Sequence, residues 1–167
     1  MWLTRRQCFA LAALLAGARS SAAGPASAPD SADAAERLRR LPSIPPLALR
    51  GFDPLSYFLP GGPVAGDPAH EIAWEGRTWR FARAANRAAF ERDPGAYTPR
   101  LGGYDPVGVA EGRLVDADPL VFAILDDALY LFRNAERRDL ALADPELARR
   151  AEVRWPALRA LMDAPPR

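Results

Sequence analysis

Five residues carry the chemistry that the body of this chain can offer: Asp53, Tyr57, His70, Tyr104 and Asp105. Asp53 and Asp105 each open an Asp-Pro dipeptide. Carboxylates and phenols that converge in a fold can hold a hard cation. A local reading competes with this, because an Asp before Pro bonds its own backbone while the Pro presets the next residue, and the pair then caps a turn. His70 lies in Asp67-Pro68-Ala69-His70-Glu71. It is a metal ligand if Asp67 or Glu71 joins it, and otherwise a surface histidine; a structural metal usually takes four ligands, and no others are evident nearby. Ser56 with His70 and an Asp would suggest a hydrolase, but the chain has no Gly-x-Ser-x-Gly elbow.

Composition removes several function classes. The single His is His70 and the single Cys is Cys8, near the N-terminus. Thiol redox chemistry, disulfides and Cys- or His-rich metal sites are therefore not expected in the body of the chain. All 22 basic residues are Arg. Three of them precede residue 24, which leaves 19 Arg against 21 acidic residues. That balance argues against a nucleic-acid binder, which would show an excess of basic residues. Arg83, Arg87 and Arg92, with Arg80 just before them, could meet an anion or form a solvated helix face paired with Glu91.

The N-terminus reads as an export signal. Thr4-Arg5-Arg6-Gln7-Cys8-Phe9 precedes the apolar run Phe9–Ala18, and Ser21-Ala22-Ala23 offers a cleavage site before Gly24. The Arg pair resembles the twin-arginine type, although Cys8 stands where that pattern usually has Phe, so general secretion also fits. The apolar run is far short of the ~20 residues that span a bilayer. The expected organisation is an export signal over 1–23, a Pro/Ala/Ser-rich linker over 24–46 with a short helix near 31–41, and one domain over 47–162. The mature protein is expected to be periplasmic or secreted, with no transmembrane segment.

That domain contains an internal duplication. Gly51-Phe52-Asp53-Pro54-Leu55 recurs 52 positions later as Gly103-Tyr104-Asp105-Pro106-Val107. After one deletion the offset becomes 51. It then pairs Asp67-Pro68 with Asp118-Pro119, Trp79-Arg80-Phe81 with Tyr130-Leu131-Phe132, and Asp93-Pro94 with Asp144-Pro145. Three Asp-Pro pairs in register are hard to ascribe to chance. Each copy, 51–98 and 103–148, reads as turn, strand, tight turn, strand, helix and Asp-Pro stop. Gly76 suits the first hairpin turn, whereas Asp126-Asp127 predicts a different turn in the second. The expected fold class is α+β: small antiparallel hairpins, each followed by a short helix, in two pseudo-symmetric copies that share one core.

The helix after Phe81 is predicted to bury Phe81, Ala85, Ala88 and Phe90, and Asp93-Pro94 to stop it. About 45 residues bury too little apolar surface to be stable alone. Trp74, Trp79, Phe81 and Phe90 are therefore expected to meet Phe122, Ile124, Leu129, Leu131 and Leu140. A closing helix over 147–162, disturbed by Pro156, would add Leu147, Ala151, Trp155, Leu158 and Leu161.

Taken together, Asp53-Pro54-Leu55-Ser56-Tyr57, Trp79, Phe81, Asn86, Phe90, Asp93-Pro94, Tyr97 and Gly102-Gly103-Tyr104 resemble the YHS-domain family. The similarity is to its exported bacterial members and extends through Leu129–Phe132 to Trp155-Pro156. The resemblance implies a small α+β fold and a loosely defined role in metal binding, with no established enzyme activity. The chain departs from the pattern in two respects. Asp105 stands where many relatives carry Cys or selenocysteine after Gly-Gly-Tyr, and the sequence Tyr-His-Ser is absent. The resulting expectation is an exported, non-catalytic module that binds a metal ion or small ligand at some of Asp53, Tyr57, His70, Tyr104 and Asp105. The alternative is an interaction or accessory subunit for an exported partner protein.

Overall fold

The computed structural model describes residues 31–40 and 44–163. The expected export signal and the start of the linker lie outside the described residues. The chain divides into two compact units, residues 1–43 and 44–167. In the first, α1 spans Ser31–Arg40 within the expected linker. Arg37, Arg39 and Arg40 occupy its last turn, where cations oppose the helix dipole.

The second unit holds both copies, and the backbone repeats at the offsets found in the sequence. The first copy opens with a 3-10 turn, Ala48–Gly51, and a second one, Pro54–Phe58. Strands β1 (Asp67–Trp74) and β2 (Arg77–Phe81) follow, then α2 (Ala84–Arg92). The second copy opens with the 3-10 turn Arg100–Gly103 and α3 (Pro106–Ala110). It continues with β3 (Asp118–Leu125), β4 (Ala128–Phe132) and α4 (Ala135–Ala143), and α5 (Glu146–Met162) closes the unit. The fold class is α+β, with two antiparallel two-stranded sheets.

Small irregularities recur as faithfully as the elements. Both hairpins carry a bulge, between Asp67 and Glu71 and between Asp118 and Phe122. In each, the leading Asp takes a backbone N–H two residues on, from Ala69 at 2.8 Å and from Leu120 at 3.0 Å. Leu49 and Leu101 both sit at positive φ, 50° and 57°. The two hairpin turns also agree, contrary to expectation. Asp126 and Asp127 adopt φ of 49° and 60°, matching Glu75 and Gly76 at 45° and 70°. The short polar Asp side chain tolerates the left-handed region well enough to replace Gly.

The apolar core is two clusters rather than the single one expected, and the copies share only the first of them. One apolar cluster holds Leu49, Tyr57, Trp79, Phe81 and Phe90 of the first copy together with Phe122, Ile124, Leu129 and Leu131 of the second. The other holds the second copy's counterparts, Leu101, Val109, Tyr130, Phe132 and Ala141, packed by Leu147, Ala151, Trp155 and Leu158 of α5. Alternate residues of β4 thus serve different clusters, as the period of a strand requires. Leu129 and Leu131 look back at the first copy; Tyr130 and Phe132 look forward to α5. All five residues of β4 are buried. The arrangement is head to tail: the back of hairpin β3–β4 covers the first copy, and α5 covers the second.

Three expectations about the core are corrected. Leu140 is 55 % exposed and belongs to neither cluster. Ala85 and Ala88 face solvent, while Asn86, Ala89 and Phe90 turn inward. Phe81 belongs to β2 and does not mark the helical stripe; buried Phe90 and the bond from Asn86 to Asp53 set the inward side of the helix. Leu161 is exposed beyond the part of α5 that packs, although Pro156 does not end that helix.

Candidate functional site

Asp53 and Asp105 are both fully buried, and each is the hub of its own copy. Asp53 caps the turn Pro54–Phe58, with Oδ1 accepting from the Leu55 N–H at 2.9 Å. Its Oδ2 accepts from the Ala82 N–H at 2.8 Å and from Asn86 Nδ2 at 2.6 Å. Asp105 caps α3 in the same way, with Oδ1 accepting from the Gly108 N–H at 2.8 Å. Its Oδ2 accepts from the Arg133 N–H at 2.9 Å, and Oδ1 meets Arg137 Nη1 at 2.8 Å. Ala82 and Arg133 correspond at the offset of 51, as do Asn86 and Arg137. Each carboxylate therefore ties an opening turn to the junction where a strand runs into a helix.

This geometry matches the capping reading of the two Asp-Pro pairs. Burying a carboxylate is costly unless donors surround it, and here three donors meet each one. The two carboxylates share no donor. The Ser56 hydroxyl is likewise occupied: it donates to the Asp53 carbonyl at 2.6 Å and accepts from the Val64 N–H at 2.9 Å. No hydrogen bond links it to His70 among the described residues.

His70 is half-buried in the bulged part of β1. Both neighbours that might ligate with it are engaged elsewhere. Asp67 holds the Ala69 N–H, and Glu71 pairs with Arg80 at 2.6 Å. Among the described residues, no three His, Cys, Asp or Glu side chains form a group that could hold a metal ion.

The two tyrosines part company. Tyr57 is buried edge-on against Phe122, with ring centroids 5.1 Å apart. Its hydroxyl has no hydrogen-bond partner among the described residues. Burial, and secondarily the nearby Asp118 carboxylate, raise its pKa above the ordinary phenol value. Tyr104 is half-buried and lies against Trp155, centroids 6.0 Å apart.

Tyr104 and Trp155 belong to the wall of an open groove of about 1000 Å³. The groove runs past both left-handed turns, Leu49–Gly51 and Leu101–Gly103, to the C-terminal half of α5, with Trp74 also in its wall. At Gly102, with φ 61°, the backbone lies close against α5: a Cβ there would stand 3.0 Å from the Trp155 ring. At the rim, Glu152 accepts from the Tyr130 hydroxyl at 2.6 Å and faces Arg100 at 3.9 Å. Burial, followed by that hydrogen bond, raises the Tyr130 pKa. Of the five sequence candidates, only Tyr104 lines this groove.

Trp155, Gly102, Arg100 and Glu152 line the groove without standing out in the sequence as site residues. One signal was present: Gly102 replaces Arg50 of the first copy, and a glycine substituted at a repeated position marks a close approach. Compared with known proteins, the chain matches no family model, no curated protein and no solved structure.

Proposed function

We propose that this chain is a non-catalytic binding module of the YHS type, exported from the cytoplasm, and that it holds a small ligand in the groove between its two left-handed turns and α5. One observation carries the reading: the two prominent carboxylates are spent on architecture, while the aromatic pair Tyr104 and Trp155 stands in the wall of an open groove. The volume suits a small molecule, since ligand sites run to roughly 300–1000 Å³. The resemblance over residues 47–161 supports the same class, and no reaction is assigned. A resident metal ion is the competing ligand.

The test is purification from the native export compartment, followed by mass spectrometry and elemental analysis of what denaturation releases. The expected result is an organic molecule in stoichiometric amount, lost from the Trp155→Ala variant. Protein that carries nothing, or that keeps its ligand equally well without Trp155, overturns the reading. Stoichiometric metal with no organic ligand moves the function to the metal-binding alternative.

A further inference from the structure

Helix α5 has two apolar faces, and only one of them is used in the fold. Leu147, Ala151, Trp155 and Leu158 pack inward. On the other side, Val153, Ala157 and Leu161 recur every four residues, the spacing of a stripe on a helix. Val153 and Leu161 are each 73 % exposed. The stripe borders a shallow groove of about 430 Å³ between α3 and α5, formed by Ala110, Val153 and Ala157 with Arg149, Arg150 and Arg154. Every charged group in its lining is an arginine. Arg149 pairs with Glu146 at 2.6 Å and Arg150 with Asp144 at 2.7 Å. Arg154 makes no ion pair among the described residues.

We propose that this groove docks an amphipathic, acidic helical segment of a partner protein. The apolar floor is shallow and follows α5 from Val153 to Ala157, about one turn, with Leu161 about one turn beyond. A partner helix presenting apolar residues at i, i+4 and i+7 fills such a floor, in the helix-in-groove mode. Acidic residues flanking that stripe meet the arginine rim, with Arg154 as the rim cation that makes no ion pair among the described residues. A flat lipid surface matches the charge but leaves the concavity unfilled. This inference is independent of the ligand groove, which lies on residues that α3 and the outward stripe do not supply.

The test uses the full chain and a synthetic peptide about four turns long, with Leu on one face and Glu on the other, titrated by fluorescence anisotropy. The expected result is saturable, salt-sensitive binding. Val153→Glu and Arg154→Glu each weaken it about tenfold, or ~1.4 kcal/mol, with circular dichroism and thermal midpoint unchanged. Both positions are exposed, so the variants fold. A peptide with Glu replaced by Gln binds correspondingly more weakly. Absence of binding overturns the proposal, as does binding that both variants leave intact. So does sedimentation with anionic phosphatidylglycerol vesicles in place of peptide binding, because it assigns the face to a membrane.

Discussion

The two hairpins share a backbone and have opposite backs. On β1–β2, the cross-strand pairs facing away from the first cluster are Glu71 with Arg80 and Ala73 with Thr78. On β3–β4, the equivalent pairs are Phe122 with Leu131 and Ile124 with Leu129. The first set ends the stack in water through an ion pair at 2.6 Å; the second fills the cluster shared by the copies. Two units of the same backbone thus differ at the few positions that decide which of them is covered. The inner repeat needs an apolar back, and the outer repeat must not have one, as in repeat proteins whose terminal units carry polar outer faces.

The sharpest way to break this contrast is to exchange the backs. Leu131→Arg writes the first copy's residue into the second and buries a charge with no partner. It should cost roughly 4 kcal/mol or more, or prevent folding. The reciprocal Arg80→Leu should change stability by less than about 1 kcal/mol, since it removes only a part-exposed ion pair. Urea denaturation of both variants gives the two numbers. Similar losses would show that the backs are equivalent and that the stack is not directional.

Next come the two carboxylate hubs. Arg137→Ala leaves Asp105 charged and buried with backbone donors alone, and should cost about 3 kcal/mol. Asn86→Ala removes a neutral donor from Asp53 and should cost about 1–2 kcal/mol. The paired exchange Asn86→Arg with Arg137→Asn tests whether the hubs are interchangeable, and a double-mutant cycle reads their coupling.

A smaller difference is expected at the left-handed turns. Gly102→Ala places a methyl against Trp155 at positive φ and should cost roughly 1–2 kcal/mol. Arg50→Gly at the matching position should be within about 0.5 kcal/mol of neutral, because it relieves the same φ while loosening the unfolded chain. Smallest of all is the tyrosine pair. Tyr130→Phe forfeits the bond to Glu152 and should cost about 1 kcal/mol, whereas Tyr57→Phe should be neutral or slightly stabilising. Both phenols have pKa values raised by folding. Ionising either phenol therefore favours the unfolded chain, an effect absent below the unfolded value of about 10 and growing as pH rises above it. Thermal midpoints should fall more steeply above that pH in the wild type than in the double Phe variant.

Much of the fold was legible because its punctuation is chemical. Asp-Pro pairs mark turn starts and helix ends regardless of what packs around them, so three of them in register located both copies. The helix faces were less legible. Ala-rich α2 shows little contrast between its sides, and its inward polar residue, Asn86, is explained only by a carboxylate 33 positions earlier in the chain. Leu140 illustrates the same limit, since an apolar residue on a short helix does not announce which side the core is on. The site was least legible. Asp53 and Asp105 stand out by residue type, yet their donors are mostly backbone N–H groups, which no sequence displays. The groove depends on Trp155, whose partner Gly102 lies 53 positions away and carries no side chain.

Helix α5 takes, against the second copy, the place that a hairpin takes against the first. Lengthening this architecture would therefore mean inserting a further rung between α4 and α5, with a greasy rear and an open face, while both end pieces stayed as they are. The chain's ceiling is a helix and its floor an ion pair, and growth has room only in between.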